Sequence, residues 1–311
     1  MIVPIDHFPM KLQAIRYFIA VVEAGGFRAA TKTVHVSQSA MTAALQQLEE
    51  ELGAPLLHRS RRGVTPTQFG RAFLDRARAI ERESRKAREE IAQLRGHWEG
   101  TVSFATSPAI GISIIPSVIK AFRERFPAIR VRCVDGLYPA VLGGLRDGHL
   151  DFAISPCAVE QLEPPFVAEL LLPADVVIVC RRDHPLRKAQ SLLELAESEW
   201  VISTGAGGAG ALIQQAFQAA GLSGLKVGLV CESFMALPGI LALSDLFGTL
   251  PRAVLDDTRW RQELAIVPIR ERLPAPQIAI LRRDDIPLTP ASTELISWVR
   301  HFAAKLGRAD V

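Results

Sequence analysis

Apolar residues recur at helical spacing from the start of the chain. Leu12, Ile15, Phe18, Ile19 and Val22 mark a short amphipathic helix that Gly25 and Gly26 close. A second helix is predicted over Arg28–Val34, with Ala29 and Ala30 as small contact residues. The third, Gln38–Leu52, starts behind Ser37, whose hydroxyl is a good N-cap. Two helices joined by a short turn, the second with a polar N-terminal face, follow the helix-turn-helix plan. Beyond Leu57, the basic stretch His58–Thr65 reads as a hairpin wing beside that motif.

From Thr67, another N-cap candidate, a helical pattern runs unbroken to Leu94. Phe73, Ala77, Ile80, Ser84, Ala87, Ile91 and Leu94 form one thin heptad seam between charged residues. So narrow a seam needs a partner. A second copy of the same helix is the simplest one, giving a dimer, and packing on its own domain is the alternative.

Gly96–Gly100 then acts as a hinge, after which strands and helices alternate. Strands are expected at Thr101–Thr106, Ile129–Val134 and Asp151–Ser155, with helices at Ile115–Phe126 and Tyr138–Arg146 between them. This β-α-β-α-β order implies a parallel, doubly wound sheet. The plan repeats, with strands at Asp175–Arg181, Trp200–Ser203, Lys226–Cys231, Phe247–Leu250, Ala265–Pro268 and Gln277–Arg282. Helices fall at Gly210–Ala220, Phe234–Leu243 and Ala291–Leu306. The expected division is a winged helix-turn-helix over 1–70, a linker helix over 71–96 and a two-lobed α/β region over 97–311. Lobe I takes about 100–171 plus 274–311, and lobe II about 172–273, with crossings near Leu171 and Leu273. The fold class is mainly α/β with an all-α N-terminal domain.

Composition changes this picture little, but charge sharpens it. The net charge of +3 conceals 15 basic against 10 acidic residues up to His97, and 21 against 23 beyond it. The positive excess sits on the helix-turn-helix side and points to a polyanion partner for that end. Cys133, Cys157, Cys180 and Cys231 form no C-x-x-C pair and lie in or beside apolar runs, so buried structural thiols are expected. No secretory signal pattern stands at Met1–Met10, and no run reaches the roughly 18 apolar residues of a membrane span. A cytoplasmic protein is expected, with no membrane partner.

Four stretches carry a resemblance. They are Gly25-Gly26-Phe27-Arg28-Ala29-Ala30, Val36-Ser37-Gln38-Ser39-Ala40-Met41-Thr42, Leu48–Leu57 and Arg62-Gly63-Val64-Thr65-Pro66-Thr67. Together they closely resemble the N-terminal signature of LysR-type transcriptional regulators, with matching spacing from about residue 12 to 70. The resemblance implies a DNA-binding regulator with a linker helix, which assembles as a dimer or tetramer. It also implies an effector domain similar to periplasmic binding proteins, with an inducer held between the lobes. Within the family, Gly96–Gly100, Ala105–Ile110 and Val230–Phe234 resemble regulators of toluenesulfonate degradation. There are departures. Ser39 stands where proline is usual, and Ala43, Ala44 and Gln47 stand where relatives often carry arginine or glutamine.

A recognition helix presents short polar side chains to base edges at its N-terminal end. Ser37, Gln38, Ser39, Thr42 and Gln46 are so placed, Gln38 being the best base reader because its amide both donates and accepts. Gln47 reads equally as a solvated face. Arg59, Arg61 and Arg62, with Thr65, suit phosphates or a minor groove.

A rival reading attaches to Gly205-Ala206-Gly207-Gly208-Ala209-Gly210, which fits G-x-G-x-x-G after a strand, with Glu232 at the end of the next strand. That pattern would suit a nicotinamide dinucleotide and an oxidoreductase. The loop's late position and the lack of a catalytic His or Lys beside an acid weigh against it. Ser203, Thr204 and Gly205 can instead hold a small anion at a helix start. On the facing lobe Ser107, Pro108, Gly136, Tyr138 and Ser155 follow strand ends, where α/β sheets place ligands, and Leu137, Phe234 and Met235 could flank a ring. The expected effector is an aromatic sulfonate or carboxylate. No metal site, cofactor or catalytic group is expected, since the histidines lack ligand spacing and G-x-S-x-G is absent. A secreted solute-binding protein would explain the lobes but not the helix-turn-helix.

Overall fold

The computed structural model describes residues 10–60, 63–203, 209–256 and 258–309. The chain forms two compact units, 1–91 and 92–311. The predicted Arg61, Arg62, Thr204 and Gly205, with most of the glycine run, lie outside the described residues.

In the first unit α1 (Leu12–Ala24), α2 (Phe27–Val34) and α3 (Gln38–Leu52) precede a hairpin of β1 (Leu57–Ser60) and β2 (Gly63–Pro66). Then α4 (Gln68–Leu94) begins. The α2–α3 turn is made by His35 in left-handed backbone (φ 52°), and Ser37 caps α3 by accepting the Ala40 N–H at 3.2 Å. One core holds the unit, built on Phe18, Val21, Ala30, Met41, Leu45 and Leu48.

The heptad seam of α4 divides. Ala77 is fully buried in that core, the Phe73 ring lies 5.3 Å from Phe18, and Ile80 packs beside them. Arg78–Glu23 (3.0 Å) and Arg16–Glu81 (3.6 Å) ion pairs reinforce the contact. The N-terminal half of the seam therefore packs on its own domain rather than awaiting a second subunit, because α1 offers apolar surface at the same spacing. Ile91 and Leu94, further along, remain exposed.

The second unit holds two sheets. In lobe I, β3 (Gly100–Thr106), β4 (Ile129–Asp135) and β5 (Phe152–Pro156) run parallel. They are connected through α5 (Pro108–Ser113), α6 (Ile115–Arg125) and α7 (Val141–Arg146), and β6 (Phe166–Pro173) then leaves the lobe. Lobe II receives β7 (Val176–Arg181), followed by β8 (Glu199–Ile202), α8 (Ala209–Ala219), β9 (Lys226–Val230), α9 (Leu237–Ala242) and β10 (Gly248–Pro251). It closes with α10 (Thr258–Glu263) and β11 (Leu264–Ile266). The chain returns as β12 (Gln277–Arg283) and ends in α11 (Pro290–Ala309).

The strand order is β4-β3-β5-β12-β6 in lobe I. In lobe II, β9-β8 joins β10-β7-β11 through the Trp200–Phe247 bridge. Each lobe thus repeats one plan, and neither sheet is all-parallel as expected: β12 and β7 run antiparallel to their neighbours. The reason is the crossing. A strand that enters a lobe from the hinge must run against strands whose carboxyl ends point toward it. Those carboxyl ends, β3 to β5 on one side and β8 to β10 on the other, consequently face the crossing. There Ala174 N–H donates to Pro276 O (2.8 Å) and Asp175 pairs with Arg252 (2.6 Å).

Both faces of each sheet are covered, by Phe104, Phe122, Phe152 and Leu295 or Val141, Leu145 and Leu281 in lobe I. Lobe II uses Trp200, Phe217 and Phe247 on one face and Val179, Leu241 and Leu250 on the other. Cys157 and Cys180 are buried as expected, and burial pushes the Cys180 thiol up to about 11. Cys133 is exposed, contrary to expectation, because β4 is an edge strand, and Cys231 is half-buried. Among the described residues no helix is long and apolar enough to cross a membrane, and no three His, Cys, Asp or Glu cluster as metal ligands.

Candidate functional site

The outward face of α3 is set by what it buries. Met41, Leu45 and Leu48 point into the core, which leaves Gln38, Ser39 and Gln46 exposed and Thr42 half-buried along the opposite side. Ser37 is occupied as the cap, and its hydroxyl also lies 3.1 Å from that of Ser39. Gln47 donates to Glu51 at 3.0 Å, the ordinary surface pair of residues four apart.

A residue that pattern reading overlooked fixes the wing. Glu49 reaches back from α3 to accept the N–H groups of Leu56 (2.6 Å) and Leu57 (3.1 Å), tying the hairpin to the helix. Thr67 donates to Pro55 O and accepts Gly70 N–H, closing the same corner. Gly70 is obligatory there, since a Cβ would stand 2.0 Å from the Leu56 carbonyl oxygen. Val64 N–H donates to Gly25 O (2.9 Å), which fastens the wing to the α1–α2 turn. On this scaffold Arg59 is exposed, with its guanidinium 4.8 Å over the Phe27 ring, and Thr65 is exposed opposite His58. The aromatic face steadies the exposed cation.

In lobe I the structure brings Ser107, Gly136, Tyr138 and Ser155 to neighbouring strand ends. Ser155 is fully buried and its hydroxyl accepts Tyr138 N–H at 2.9 Å. Gly136 N–H donates to Thr106 O, and a Cβ there would stand 2.6 Å from Val141, so the turn admits only glycine. Ser107 N–H donates to Ile154 O (2.7 Å), while its own hydroxyl is buried without a hydrogen-bond partner. Pro108 follows, half-buried, at the start of α5, and α5 lies against the Arg252–Asp256 turn of lobe II.

Lobe II supplies less from its described residues. Ser203 is half-buried after β8, Glu232 is exposed after β9, and Phe234 packs partly into the core. Leu137 and Met235 are both exposed. Gly210 permits the close approach of α8 to β8, since a Cβ would stand 2.6 Å from Ser203 O. The last turn of α4 adds a further polar residue that the seam pattern concealed. Gln93, 3% exposed, donates to Glu99 O (2.8 Å) and accepts Ala291 N–H (2.9 Å), joining the helix end to β3 and α11.

A polar-faced helix beside a wing, followed by two α/β lobes opening at their carboxyl ends, defines a ligand-responsive DNA-binding regulator. The comparisons give the family. Residues 12–71 match the bacterial regulatory helix-turn-helix protein, lysR family, and residues 95–304 match the LysR substrate binding domain. The chain belongs to the LysR family of DNA-binding transcriptional regulators and carries its effector-binding domain. It is 30% identical to a probable nitrogen assimilation transcriptional activator of Synechococcus elongatus, over 94% of this chain and 93% of that one. It is 27% identical to an SDS degradation transcriptional activation protein of a Pseudomonas species, over 90% and 92%. Full-length CbnR in complex with its target DNA superposes with a TM-score of 0.66 at 26% identity, covering 94% of this chain and 99% of that one. The glycine-rich loop falls inside the matched effector domain, so the dinucleotide-binding oxidoreductase reading has no support.

Proposed function

We propose that this regulator reads its operator with the exposed N-terminal face of α3, Gln38 and Gln46 foremost, while Arg59 and Thr65 of the wing hold the DNA backbone. Arg61 and Arg62 belong to the same proposal by sequence. The regulator acts by binding rather than by catalysis, in the cytoplasm. It works as a dimer or tetramer, with Ile91 and Leu94 of α4 left to a second copy.

The effector is a small organic anion, an aromatic sulfonate or carboxylate, taken between the lobes. Ser107, Tyr138 and Ser155 supply its site from lobe I and Ser203 from lobe II, while Thr204 and Gly205 belong to the same proposal by sequence. The observation that carries this reading is the Ser107 hydroxyl, buried at the hinge-facing end of β3 with no partner, since an orphaned donor there is costly unless a ligand completes it. The relative named for SDS degradation lends support, because SDS is itself a sulfur oxyanion. A ligand that binds one lobe arrangement better than another shifts the geometry of the assembled helix-turn-helix units on DNA.

Isothermal titration of the full chain with aromatic sulfonates, the matching carboxylates and a nicotinamide nucleotide tests the effector class. Saturable heat with the acids is expected. Heat from the nucleotide alone would overturn the reading.

A further inference from the structure

We propose that Ala43 reads a thymine through its methyl group and so fixes one base pair of the operator by apolar contact. This rests on α3 being the base-reading helix. Ser39, Ala43, Gln46 and Glu50 succeed one another at spacings of four, three and four, which keeps them on a single stripe of the helix. All four are exposed, and the stripe lies opposite Met41, Leu45 and Leu48. Three of its members carry hydrogen-bonding groups. Ala43 alone offers only a methyl.

The Ala43 side chain is exposed on α3. Gln47 is drawn along α3 to Glu51, and both line, with Ala40, Ala43 and Ala44, a shallow cavity of about 250 Å³. When the stripe is pressed into the major groove, the base edge against Ala43 loses water and gains no hydrogen-bonding partner. Guanine, adenine and cytosine present polar atoms there, and each would be left unsatisfied. Thymine alone adds a methyl, at C5 beside its O4 acceptor, and that methyl fills the space against Ala43. Contact of methyl with methyl is therefore the favoured pairing.

The test begins with operators enriched from a random duplex library by the full chain. Each thymine of the enriched sequence is then replaced by deoxyuridine, which keeps the base pair and lacks only the methyl. At one thymine per recognition helix, wild-type binding is expected to weaken about fourfold, the worth of one buried methyl group. Ala43→Gly should bind the two duplexes equally well. Ala43→Gln, which retains helix propensity, should move the enriched base at that position from thymine to adenine and leave the rest of the consensus unchanged.

Thermal melting checks that both variants fold, and the glutamine result stands even where the glycine variant does not. The proposal is overturned if no thymine is sensitive, or if the sensitivity persists in Ala43→Gly. Failure to enrich any sequence would remove the base-reading role of α3 and this proposal with it. Enrichment without methyl sensitivity removes the proposal alone.

Discussion

Gln38 and Gln46 stand in water on the outside of α3, whereas Ser107 and Ser155 are enclosed at strand ends of the second unit. Both sets are short and polar, yet they are held in opposite ways. A side chain that must enter a groove has to be unencumbered, so the first unit spends its ordering contacts on the scaffold. Glu49 on the wing, Val64 on the α1–α2 turn and Arg59 on Phe27 are examples. A side chain that grips a small molecule works best where water is scarce, and under the proposed function the buried, unpartnered Ser107 hydroxyl of the second unit is such a group. Exposed side chains such as Gln38 and Gln46 tolerate substitution with little loss of stability. Of the two inward serines, Ser155 is tied into the fold and Ser107 is not.

The largest effect expected from breaking this contrast is at Gly70. Ala there drives a methyl into the Leu56 carbonyl, and a loss on the order of 3 kcal/mol is expected from the displaced corner. The measurements are the thermal midpoint and operator affinity, and an unchanged midpoint would show that the corner yields.

Next come the two buried serines. Ser155→Ala orphans the Tyr138 N–H and should cost about 1.5 kcal/mol in denaturant unfolding. Ser107→Ala removes a hydroxyl already without a partner and should leave stability unchanged or raised while weakening effector binding. Equal destabilisation by both would contradict the assignment of Ser107 to a ligand.

On the outward side, Gln38→Ala should relax base discrimination at one position by about 1–2 kcal/mol without altering stability. Arg59→Ala should leave sequence preference intact and reduce the slope of log affinity against log salt by about 0.9. Footprinting of both variants across a salt series separates the two behaviours, and a sequence change in the arginine variant would sink the division of roles.

The smallest effect concerns Glu169, whose paired hydrogen bonds with Arg300 (2.6 and 2.7 Å) hold its carboxyl below the usual value. A lowered folded-state value contributes stability that is present above the ordinary carboxylate range and lost as pH falls through the folded value. On this half-exposed pair the contribution is about 0.5 kcal/mol. A Glu169→Gln variant should flatten the acid limb of the stability curve by that amount.

What the sequence made legible follows from range. The helices α1 to α3 and the Ser37 cap depend on neighbours a few residues away, and periodicity reads such neighbours directly. The inward turn of Ala77 was not legible, because heptad spacing says which residues share a stripe and nothing about who covers it. Strand β6 escaped notice since, lying at a sheet edge, it lacks clean alternation of buried and exposed residues. Ser107 and Ser155 could be listed as strand-end hydroxyls. Only tertiary structure separates the satisfied one from the orphan. Glu49 and Gln93 look like ordinary helix residues until their partners, from another segment, are in place.

The crossing between the lobes has a consequence for how the chain could have been assembled. Lobe II is threaded into lobe I as an insertion, leaving after β6 and returning before β12, and its two ends meet where Ala174 donates to Pro276. The neck is one hydrogen bond wide. A shorter chain that lacked residues 175–275 would need no more than a tight turn to close lobe I over the gap. With the two strands of the neck side by side and α5 resting on the Arg252–Asp256 turn, the inserted lobe is held against lobe I at two places.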